Sequence, residues 1–106
     1  MKTSYVMKEK KVGPWKINTF KATENVICAE RRLKWYDEER FSAIKRRLHN
    51  QGYMFFWNEA VENRDTRYTK HTSRVEIYSK SGENYNEHLK RLTDYLFKNE
   101  ELFCCP

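Results

Sequence analysis

The stretch YDEERFSAIKRRLHNQG, residues 36–52, decides the fold class, because it carries the clearest helix signals in the chain. Asp37 suits an N-cap, where its carboxylate can accept from backbone N–H groups that the first turn leaves without partners. Glu38 and Glu39 put negative charge at the positive end of the helix dipole. Tyr36 and Phe41 stand at the two positions of a hydrophobic staple. Phe41, Ile44 and Leu48 recur at i, i+3 and i+7, a single apolar stripe. Lys45, Arg46 and Arg47 fall near the negative end of the dipole, and Gly52 is a natural residue just past the C-terminus. The spacing predicts a helix over 38–50.

Upstream of it the pattern changes to period two. Residues 4–12 and 15–21 read as strands joined at Gly13-Pro14, with Trp15, Ile17 and Thr19 alternating with Lys16 and Asn18. After a polar turn at 22–25, a third strand runs from Val26 to about Lys34. Ile27, Ala29, Leu33 and Trp35 share one of its faces, and Cys28, Glu30, Arg32 and Lys34 the other. Downstream, residues 53–58 are too apolar and aromatic for anything but a largely buried strand. A turn is expected at Glu62-Asn63-Arg64-Asp65, then a long strand near 67–79. Asn84 with Glu87 resembles a capping box and opens a last helix, whose stripe is Tyr85, Leu89, Leu92 and Leu96. The order βββαββα predicts a single α+β domain over 1–106: a small, mostly antiparallel sheet with two helices packed on one face. Two helices cannot cover both sides of five strands, so the other face is expected to be at least partly open.

Composition bounds the function. With 106 residues, 39% hydrophobic and 15% aromatic, the chain can build one core and little more. No apolar run is long enough to span a membrane and no signal-peptide pattern opens the chain, so the expected compartment is the cytoplasm. Cys28, Cys104 and Cys105 are odd in number and two are adjacent, which argues for reduced thiols rather than a disulfide framework. The C-terminal pair has neither zinc spacing nor prenylation spacing.

The net charge of +6 is unevenly spread. Residues 1–16 carry +4, residues 31–50 carry +4 and residues 67–80 carry +3; the segments between and after them are slightly acidic. A polyanionic partner follows from such clustering. The seven basic residues in 31–50 exceed what helix electrostatics alone would call for. The candidate nucleic-acid contacts are Lys16, Arg31, Arg32, Lys34, Lys45, Arg46, Arg47 and Arg74.

Motifs for catalysis are scarce. The three histidines lack ligand spacing, three glycines cannot make a phosphate loop, and no cofactor or metal site is expected. His71, Arg74, Glu76 and Tyr78 could supply a small metal-independent ribonuclease with acid–base groups. Strand alternation, however, sets His71 on the face opposite the other three.

Residues 51–58, QGYMFFWN, partly resemble the central aromatic segment of RNA-recognition motifs: Gly52, Tyr53 and Phe55 match. Met54 and Asn58 depart from that pattern, and a helix stands where that family has a strand, so the chain is not assigned to it. Tyr53, Phe55 and Trp57 on one face, with Met54 and Phe56 on the other, read instead as a central strand buried on both sides. The order of three strands and a helix resembles the arm-binding domains of integrases and AP2-type domains, which implies sheet contacts to DNA through Lys16, Asn18, Arg32 and Lys34, with Lys8, Lys10 and Lys11 on phosphates.

The expected function is a small basic module that binds DNA or RNA through the phosphate backbone, regulatory and of phage or mobile-element type. The alternative is a protein-binding inhibitor that occupies a functional surface of a host protein, its energy concentrated in a few aromatic and Arg anchors. Exposed strand edges leave a dimer open.

Overall fold

The computed structural model describes residues 6–20, 23–65 and 68–105. Residues 4–5, Lys21, Ala22 and Arg67, each given a place in the expected strands and turns, lie outside them.

The three upstream strands form as the alternation demands: β1 (Val6–Val12), β2 (Trp15–Phe20) and β3 (Thr23–Leu33). Gly13 sits in the β1–β2 turn at φ +60°, in the left-handed region that a residue without Cβ enters freely. The polar turn expected at 22–25 is shorter, because Thr23 already pairs with Phe20 across the β2–β3 hairpin.

Helix α1 spans Glu38–Asn50, as its caps dictate. The Asp37 carboxylate accepts from the Arg40 backbone N–H at 3.1 Å, and the Tyr36 and Phe41 rings meet edge to face with centroids 5.6 Å apart. Gly52, at φ +90°, turns the chain into β4 (Tyr53–Asp65). Strand β5 follows (Tyr68–Lys80), then α2 (Tyr85–Lys98), whose Asn84 cap accepts from the Glu87 N–H at 2.9 Å. A short 3-10 turn, Glu100–Phe103, closes the chain. No helix of the described residues is long and apolar enough to cross a membrane.

All four strand pairings are antiparallel, and the sheet order is β1-β2-β3-β5-β4. The last hairpin therefore docks through its second strand, and β4 becomes an edge. This corrects the expectation of a central strand buried on both sides. Tyr53 and Phe55 are buried, but Met54 is 56% and Phe56 44% exposed. It also corrects the turn placed at 62–65. The β3–β5 ladder stops at Leu33 opposite Ser73, while β4 and β5 continue beyond it as a two-stranded ribbon to Asp65 opposite Tyr68. Backbone pairing in a hairpin needs no apolar side chains, so the polar sequence there does not break the strand.

One core lies between the sheet and both helices. Trp15, Ile17, Ile27, Ala29, Val75, Ile77 and Phe55 face Phe41, Ile44 and Leu48 of α1 and Leu89, Leu92 and Leu96 of α2. Phe103 of the terminal turn joins them, its ring 5.1 Å from that of Trp15.

Candidate functional site

The face of the sheet turned away from this core is covered by no helix among the described residues. Alternation decides what it displays. In register across the strands run Glu9, Asn18, Cys28, Tyr78 and Met54; beside them Lys11, Lys16, Glu30, Glu76 and Phe56; then Arg32, Arg74 and Asn58. The face divides into two regions along the strands.

The first is charged. Lys16 Nζ reaches Glu9 at 3.1 Å and Glu30 at 3.8 Å. Arg74 stands between two carboxylates, in close contact with Glu30 and 3.0 Å from Glu76. These bonds fix the Arg74 side chain, yet it remains 43% exposed. A shallow cleft of about 590 Å³ opens here. Six cations line it, Lys10, Lys11, Lys16, Arg31, Arg32 and Arg74, against two carboxylates, Glu9 and Glu30. Arg31 pairs with Glu100 on the helix side, and Lys10, opposite buried Ile17, also alternates away from this face. Of the four cations that remain, two are left over against Glu9 and Glu30: Lys11 and Arg32 have no ion-pair partner among the described residues.

The second region is apolar. Val26, Met54, Phe56 and Tyr78 surround a depression of about 600 Å³, with Gly52 at its lip and Glu76 and Lys80 at its margins. The rings of Phe56 and Tyr78 meet edge to face, centroids 5.7 Å apart. Cys28 lies beneath, almost completely buried, and shares a hydrogen bond with Tyr78. Burial, with Glu76 and Glu30 nearby, outweighs that bond and pushes the Cys28 thiol up to about 11. Burial and the neighbouring Cys28 and Glu76 push the Tyr78 hydroxyl up to about 12. Neither ionises near neutrality, so the depression stays uncharged apart from its margins.

The eight sequence-nominated cations do not share this surface. Lys16, Arg32 and Arg74 do, with Arg32 and Arg74 directly opposite each other on β3 and β5. Arg31 points to the helix side, where it is 15% exposed. It bonds Glu100 at 3.1 Å and lies 5.2 Å over the Trp15 ring, so it ties the terminal turn to the sheet. Lys34 is exposed just past β3. Lys45, Arg46 and Arg47 are exposed on α1, on the other side of the sheet. Successive helical residues are about 100° apart, so these three fan out rather than converge. The 31–50 block is thus a cluster in sequence and not in space.

The ribonuclease set also separates. The β4–β5 register runs without a bulge from Tyr53 opposite Ser79 to Asn63 opposite Thr69, so alternation holds. His71 turns away from Arg74, Glu76 and Tyr78 and pairs with Glu59, Nδ1 to Oε2 at 2.5 Å. Among the described residues no group of three potential metal ligands comes together.

The apolar depression and the place of Lys80 on this face were not legible in the sequence, whereas Lys11, expected on phosphate, does lie on it. The available signal was the alternation of Met54 and Phe56 against Tyr53 and Phe55, which becomes informative once β4 is known to be an edge. No protein-family model matches the chain, and no match is found among curated proteins or solved structures.

Proposed function

We propose that the chain is a nucleic-acid-binding module whose working surface is the helix-free face of the sheet rather than the cations of α1. One observation carries this reading: a cleft holding the unpaired cations Lys11 and Arg32 adjoins exposed Phe56 and half-buried Tyr78 on that single face. Phosphates need cations, and bases need flat apolar surfaces; the face offers both side by side. The distribution of charge supports it. Residues 36–51 and 81–106, which form the helical side, sum to −1, so the chain's +6 arises from +7 in the strand-bearing segments.

The test is a salt series on labelled DNA and RNA with two charge-reversed proteins. Lys11→Glu with Arg32→Glu should weaken binding at low salt and flatten its salt dependence. Reversing Lys45, Arg46 and Arg47 together should change affinity much less. An unmodified protein that binds neither polymer, or binds with no salt dependence, sinks the proposal.

A protein-binding inhibitor is the second reading. The outer edge of β4, 13 residues long, has no strand partner among the described residues, and Met54 and Phe56 stand beside it. An added strand from a host protein could pair there while apolar anchors fill the depression. Capture of a protein by the wild type, lost on Phe56→Glu, together with no affinity for nucleic acid, would favour it.

A further inference from the structure

Resting on the nucleic-acid reading, we infer that the depression between Met54, Phe56 and Tyr78 takes an unstacked base, so that the partner is single-stranded. The walls of the depression are Val26, Met54, Phe56 and Tyr78, and the nearest ionic groups are one carboxylate, Glu76, and one cation, Lys80. A phosphate entering it would meet apolar side chains and the Glu76 charge, and would lose more hydration than Lys80 could restore. A base loses little, because its faces are apolar and aromatic rings stack on it whatever its identity.

The geometry around the depression suits a chain rather than a free base. Tyr78 and Arg74 lie on the same face of β5, four residues and about 13 Å apart. Arg32 stands beside Arg74 on β3, at the charged end, and Lys80 marks the opposite end. A strand laid along β5 would place phosphates over the charged cleft and near Lys80, with a base between them on the Phe56 ring. Gly52 at the lip leaves room for this: a Cβ built there meets nothing within 4 Å.

A duplex cannot use such a site. Its base faces are stacked inside, and a sheet pressed against its groove reads edges and backbone only. For a duplex partner, exposed Met54 and Phe56 would be apolar area without a counterpart. For a single strand they are the platform that ties the base to the protein while the cleft holds the backbone.

The experiment compares labelled oligonucleotides of about 16 nucleotides, a length that covers one small binding site. A single strand of DNA, one of RNA and a hairpin duplex of the same sequence are titrated by fluorescence anisotropy against wild type, Phe56→Ala, Met54→Ala and Lys11→Glu/Arg32→Glu. Both apolar side chains are about half exposed, so their truncation should leave the melting temperature nearly unchanged, which is checked alongside. Wild type should bind at least one single strand about tenfold more tightly than the duplex. Phe56→Ala should remove about tenfold of that affinity, and Met54→Ala less, with the duplex unaffected. Equal affinity for duplex and single strand, or a Phe56→Ala protein that binds the single strand as wild type does, overturns the inference. If the charge-reversed protein is weakened in that same experiment, the nucleic-acid reading stands without it. Absence of binding to all three oligonucleotides overturns both.

Discussion

His88 is 1% exposed and shares a hydrogen bond with Ser79 of β5, Nε2 to Oγ at 2.7 Å, beneath the sheet. Burial, aided by the Arg91 guanidinium and opposed by Glu83, holds its imidazole below the ordinary histidine range. The unfolded chain takes up that proton near its usual pKa of about 6.5, whereas the folded chain resists it. Stability is therefore full above about pH 6.5 and declines as the pH falls towards the folded-state value. Urea unfolding between about pH 7 and pH 5 should show this decline, and His88→Gln should make it shallower while lowering stability at neutral pH. The cysteines differ just as clearly. Cys28 is buried with a raised pKa, whereas Cys104 and Cys105 are exposed. Iodoacetamide on the native protein should add to Cys104 and Cys105 and spare Cys28. All three should be modified in denaturant, as intact mass will report.

Among the elements, the two helices were the most legible in the sequence, because a cap is a local bond between residues three apart. Asp37 and Asn84 each accept from the backbone N–H three residues on, as their side chains suggest. Replacing either with alanine should cost about 0.5–2 kcal/mol in chemical denaturation. The β1–β2 turn has a second constraint that no local pattern reveals. At Gly13 a Cβ would lie 2.9 Å from the Phe97 ring of α2, on a backbone at φ +60°. Gly13→Ala should lose about 1–2 kcal/mol from backbone conformation alone, with the contact adding to it unless the half-exposed ring moves aside. Strand faces were legible for the same reason as caps, since alternation is a property of consecutive residues. Strand ends were not. The polar run at 62–65 resembles a turn, but the hairpin ladder passes through it.

At the scale of the molecule, the terminal turn acts as a clasp. Trp35 Nε1 donates to the Phe103 carbonyl at 3.1 Å, and Arg40 Nη2 donates to the carbonyls of Glu101 and Leu102 at 3.0 and 3.2 Å. The Phe103 ring fills core beside Trp15 and Phe55. Phe103→Ala should cost about 3–5 kcal/mol, a large part of the stability of a domain this small. Glu100→Gln, which weakens only a partly exposed ion pair to Arg31, should cost about 1 kcal/mol or less. Comparing the two urea midpoints separates packing from charge. Arg31, which looked in the sequence like the start of a basic surface, is thereby committed to holding the chain's end. The proposed function therefore rests on cations brought together by strand pairing instead.

The sequence by itself determined the elements, their order, the caps and the faces of each strand. It also determined that the chain would carry an excess of positive charge. Each of these rests on interactions between residues close along the chain or on a simple count. Only the tertiary structure decided which strand would lie beside β3. Inserting β5 there made β4 an edge, exposed Met54 and Phe56, set Arg32 against Arg74 and left the α1 cations on the far side. Pairing between distant strands depends on how the whole core fills and on which backbone edge is free, and neither leaves a signature in a short window of sequence.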